Sequence, residues 1–107
     1  MNRRDIYSGA DLNTAERAMN LLAHEPGAHV EGEAIVLRRK IAPAGMFSDG
    51  TRAIRIRLCD RHRWAMVMLG DELLAEVDHR NTWEQPGRMA SSILAAIDDY
   101  AKGRAVA

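Results

Sequence analysis

Cysteine is nearly missing from this chain: Cys59 is the only one in 107 residues. That excludes an internal disulfide and fits a reducing compartment. No apolar run approaches the roughly 20 residues that cross a bilayer. Met1-Asn2-Arg3-Arg4-Asp5 is not followed by the apolar stretch of a signal peptide. The expectation is a cytoplasmic protein that does not engage membrane. Lysine is scarce too, two residues against thirteen arginines, which suggests GC-rich coding of the kind found in bacteria and their mobile elements. Also missing are a glycine-rich phosphate loop, a nucleophile elbow and a paired-histidine metal helix. No cofactor is expected, and an enzyme is the least supported class. A net charge of zero argues against bulk nucleic-acid binding, for which basic chains are usual.

The zero is a sum of unequal parts. Residues 38–63 hold eight basic and two acidic side chains, +6, while residues 1–37 and 64–107 each come to −3. Within the basic stretch Ile54, Ile56 and Leu58 alternate with Arg55 and Arg57, the period of a strand with one apolar and one cationic face.

The length suits one domain, 1–107, with residues 1–10 and 104–107 expected to be flexible. Leu12, Ala15, Ala18, Met19 and Leu22 form a helical stripe from about Asp11. Either Ser8 with Asp11 or Asn13 with Glu16 caps its start. Pro26 ends it. A strand is expected from Val30 to Ile41, with Ile35, Leu37 and Ile41 inward and Val36, Arg38 and Lys40 outward. Arg39 then lands inward, a defect that a bulge or a sheet edge would relieve. A long loop with Met46 and Phe47 at its tip closes on Asp49-Gly50. The Arg-alternating strand Thr51–Cys59 follows.

The third strand, His62–Leu69, and the fourth, Glu72–Asp78, are joined by a Gly70-Asp71 hairpin loop. Leu73, Ala75 and Val77 are expected inward, and Leu74, Glu76 and Asp78 outward. Trp83 reads as a plug closing the core. A last helix starts between Thr82 and Pro86, carries Met89, Ile93, Ala96, Ile97 and Tyr100 on its apolar stripe, and stops at Gly103. The fold class is therefore α+β: a two-layer α/β sandwich of a four-stranded antiparallel meander with an N-terminal and a C-terminal helix.

With both helices on one face, the other is left open. It would carry Arg38, Lys40, Arg55, Arg57, Trp64 and Met66, with Met68 and Leu74. Open sheet faces are ordinarily polar, whereas Arg, Trp and Met belong to binding surfaces. One helix on each face would instead make Trp64 and the methionines core. The leading expectation is a small non-enzymatic protein of the inhibitor, antitoxin or adaptor kind that binds a protein partner through this face, with Met46 and Phe47 as a second contact. A homodimer would bury the same face. The alternative is RNA or single-stranded DNA, phosphates on the arginines and a base on Trp64. A third reading gathers Cys59, Asp60 and His62 with Asp78 and His79 at one end of the sheet as a metal or thiol site. Its spacing lacks the two ligand pairs of a zinc site, and nothing shows an oriented base beside the thiol.

Overall fold

A computed structural model describes residues 5–41, 50–59 and 61–106, for 104–106 the backbone alone. Helix α1 (Thr14–Ala23) is followed by five strands, β1 (Ala28–Glu31), β2 (Ala34–Lys40), β3 (Thr51–Cys59), β4 (Trp64–Leu69) and β5 (Glu72–Asp78). A 3₁₀ turn over His79–Thr82 then leads into helix α2 (Pro86–Val106). The strands form one antiparallel meander in chain order.

The expected four strands are five, because Val30–Ile41 is a hairpin and not one strand. Gly32-Glu33 turns it, with Gly32 at φ +60°, a conformation costly for a residue with a Cβ. The inward Arg39 needs no bulge. It is half-buried between Leu37 and Ile41, and its guanidinium donates to the Pro26 carbonyl at 2.9 Å.

Asn13 and Glu16 form the capping box of α1: Asn13 Oδ1 accepts from the Glu16 amide at 2.8 Å, and Glu16 Oε1 from the Asn13 amide at 2.9 Å. Ahead of the helix, the Ile6 and Tyr7 amides both donate to Asn20 Oδ1, and the two side chains pack on the core. Pro86 opens α2, where its missing N–H costs nothing. Gly103 does not stop this helix, which continues to Val106.

Both helices lie on the same face. Met19 and Leu22 of α1, Met89, Ile93 and Ile97 of α2, and Ile35, Leu37, Ile54, Ile56, Ala65 and Val67 of the sheet share one buried cluster. The helices also pack against each other across it. Strand alternation therefore sends the remaining side chains of β2–β4 to a face without a helix.

Two placements differ from expectation near the end of the sheet. The register slips between Val67 and Met68, so Met68 pairs with Leu73 while Val67 pairs with Ala75. The extra residue, Leu74, packs on the core, and Leu73 turns out to the open face, 45% exposed. Trp83 is no plug: it sits at φ +56° after the 3₁₀ turn, 76% exposed, and the buried side chain there is Thr82.

Candidate functional site

The open face is a grid of cross-strand rows. One row runs Glu31, Ala34, Arg57, Met66, Glu76 from β1 to β5. The next runs His29, Val36, Arg55, Met68, Leu73, and a third joins Cys59, Trp64 and Asp78. Arg38 and Lys40 extend β2 beyond them. The four cations are exposed, whereas Trp64, Met66 and Met68 are each half-buried. Val36 is only 4% exposed on this uncovered face. Its directly opposed neighbours are His29 and Arg55, close enough in an antiparallel pair to shield it. The face is thus an apolar centre under a fringe of long polar side chains.

Its charges are only partly internally matched. Arg55 Nη2 lies 3.4 Å from Glu31 Oε1, and His29 Nε2 lies 2.7 Å from Glu31 Oε2. The His29 hydrogen bond first, and Arg55 as well, hold the Glu31 carboxyl below the usual value. Asp78 caps the 3₁₀ turn: its Oδ1 accepts from the Arg80 amide at 2.8 Å, and the Arg80 guanidinium reaches both carboxylate oxygens at 3.2 and 3.0 Å. Those bonds pull its pKa down to about 2. Among the described residues, Arg38, Lys40, Arg57 and Glu76 make no ion pair.

Two shallow depressions flank Met66. One, of about 220 Å³, is lined by Glu31, Glu33, Ala34, Arg55, Arg57 and Leu58. The other, of about 350 Å³, is lined by Trp64, Glu76, Asp78 and Asn81. The face is cationic toward β2 and β3, acidic toward β5, and apolar between.

The sheet brings Arg38, Lys40, Arg55, Arg57, Trp64 and Met66 onto this one face, as the alternation required. Met46 and Phe47, and also Asp49 and Asp60, lie outside the described residues. Leu73, not Leu74, belongs to the site; the signal that decides it is a bulge, which β5's own alternation does not show.

Cys59, His62 and His79 do not form one cluster. Cys59 belongs to the Trp64–Asp78 row. His62 is in the tight β3–β4 turn, where Arg61 and His62 take φ of +57° and +60°. Its Nδ1 is 3.0 Å from Glu16 Oε2 and its ring stacks at a tilt on Tyr7 at 5.2 Å. His79 Nδ1 is 3.7 Å from Glu84. His62 and His79 line a cavity of about 240 Å³ with Asn13, Arg61 and Arg63, and Cys59 is not part of it. Among the described residues no three His, Cys, Asp or Glu side chains are grouped to hold a metal. The His62 turn is instead a brace for α1, since Asn13 Nδ2 also donates to the His62 carbonyl at 3.2 Å. No helix is long and apolar enough to cross a membrane among the described residues.

Compared with protein-family models, with curated proteins and with solved structures, the chain has no significant match.

Proposed function

We propose that this chain is a small non-enzymatic interaction protein that binds a protein partner through the open face of its sheet, in the manner of an inhibitor, antitoxin or adaptor. The observation that carries the reading is the half-buried series Trp64, Met66 and Met68 along β4, set beside exposed arginines on a face that neither helix covers. Trp and Arg are the residues most often found at the energetic centre of protein interfaces, and Met adapts to an irregular partner surface. Nucleic acid is the weaker reading. Arg55 already faces Glu31, and Glu76 and Asp78 line the other side of Trp64, so a phosphate chain crossing the face would meet carboxylates.

The test is capture of binding partners from extract of the native host on immobilised protein, with and without nuclease. A stoichiometric protein that survives nuclease, and is lost with Trp64→Ala and with Arg55→Glu while both variants stay folded, is the expected result. Loss of the captured material on nuclease treatment moves the face to nucleic-acid binding.

A further inference from the structure

The open face carries its own complement. Arg57 and Glu76 flank Met66 in one row, on β3 and β5, and neither has an ion pair among the described residues. Val36 and Leu73 stand in the next row, one shielded and one 45% exposed, with Arg55 and Met68 between. A surface with unmatched positive charge on one side, unmatched negative charge on the other and apolar side chains between them fits a copy of itself turned by half a revolution.

We infer that the partner for this face is a second copy of the chain, packed sheet to sheet about a two-fold axis that runs along β4. This rests on the reading of the face as a protein-binding surface. Such an axis keeps every residue at its row and reverses the strand order, so β4 of one copy lies over β4 of the other, and β3 over β5. Trp64, Met66 and Met68 then meet their own counterparts, and Arg55 lays its stem on the exposed Leu73 of the second copy. Glu76 of that copy lies over Arg57, whereas the two Arg57 side chains stand on strands about 10 Å apart. The charge pair forms twice.

Two other axes fail on charge. An axis centred on β3, or one running across the strands, sets the Arg55–Arg57 strand against itself. Three overlapping strands of about 20 Å bury roughly 600 Å² over both copies, by the spacings of ordinary sheets. That is a small interface, so the dimer is reversible and dependent on concentration.

The experiment is sedimentation of the full chain over a wide concentration range, with Arg57→Glu, Glu76→Arg, the double variant and an equimolar mixture of the two single variants. Both positions are exposed, and matching circular dichroism melts verify that the variants fold. The wild type is expected to dimerise as concentration rises. Each single variant faces its own charge across the axis twice and is expected to associate at least about tenfold more weakly, as close charge pairs at interfaces do. In the mixture the two reversed charges meet each other across the axis, and the unaltered Arg57 of one copy meets the unaltered Glu76 of the other. The mixture is therefore expected to recover association, as is the double variant. A wild type that stays monomeric throughout overturns the inference, as does a dimer indifferent to both single variants or a mixture that fails to recover. The protein-binding reading is judged separately. If the wild type is monomeric but Trp64→Ala still loses a captured partner, only the second copy is wrong. If Trp64→Ala leaves capture and self-association untouched, the face itself is wrong.

Discussion

The two faces of this sheet are made by the same strands, yet their side chains are buried by different means. On the helix side Ile35, Leu37, Ile54, Ile56, Ala65 and Val67 are each fully buried, sealed by Met19 and Leu22 from α1 and Met89, Ile93 and Ile97 from α2. On the other side nothing among the described elements lies over the sheet, and shelter comes from neighbours in the same layer. Val36 is buried beside Arg55, whereas Trp64, Met66 and Met68 keep part of their surface in water. Apolar area that the fold leaves half-wet is area a partner can still remove from water, which is where binding free energy resides. One face holds the fold together; the other leaves apolar side chains partly in water.

The contrast is broken most sharply from the inside. Ile56→Ala opens a cavity under both helices and should cost about 2–5 kcal/mol of unfolding free energy, read by denaturant titration. Met66→Ala, on the neighbouring strand but at a half-buried position of the open face, should cost well under half of that. Equal losses would mean that the open face is covered. A smaller effect is expected at the β1–β2 turn. A Cβ on Gly32 meets no atom within 4 Å, so Gly32→Ala tests the backbone alone, and its φ of +60° should cost about 1 kcal/mol.

The α1 cap sharpens the comparison on the helix side. Asn13→Ala removes a capping bond and should cost about 1 kcal/mol. Glu16 is held below the ordinary carboxylate value by the Asn13 amide first and by His62 next. Its ionised form therefore stabilises the fold above the usual carboxylate range, and that stabilisation is lost as pH falls through the lowered folded value. Glu16→Gln keeps the capping-box geometry but has no proton to take up, so its stability should fall less steeply on acidification. An unchanged acid limb in a thermal-melt series would refute the role given to Glu16.

Much of this was legible in the chain because each layer has its own period. The alternation of Ile54, Arg55, Ile56 and Arg57 is enough to place the cations on one face, and the stripes of α1 and α2 are enough to mark two helices. The hairpin loop Gly70-Asp71 was readable, yet the equivalent Gly32-Glu33 was not, since Val30 and Ala34–Leu37 read on as a continuous apolar strand. The β5 bulge was invisible for another reason: both Leu73 and Leu74 suit the core, and only the pairing of Met68 with Leu73 selects which one enters. Trp83 misled because a large aromatic favours burial on average, whereas Thr82, bonded by its hydroxyl to the His79 carbonyl at 2.8 Å, took the inner position. The cap at Asn13 needed the His62 and Glu84 carbonyls, which accept from Asn13 and Thr14 and come from distant parts of the chain.

The most direct measurement is methionine-methyl NMR in the presence of a soluble paramagnetic agent, first on the chain diluted until it is monomeric and then on the chain saturated with its partner. Met19 and Met89 lie in the sealed layer, Met66 and Met68 on the open face. The prediction is that the agent broadens Met66 and Met68 but not Met19 and Met89 in the free chain, and that the partner protects Met66 and Met68. If all four methyls are shielded from the start, or if Met66 and Met68 stay accessible in the complex, the open face is not the binding surface.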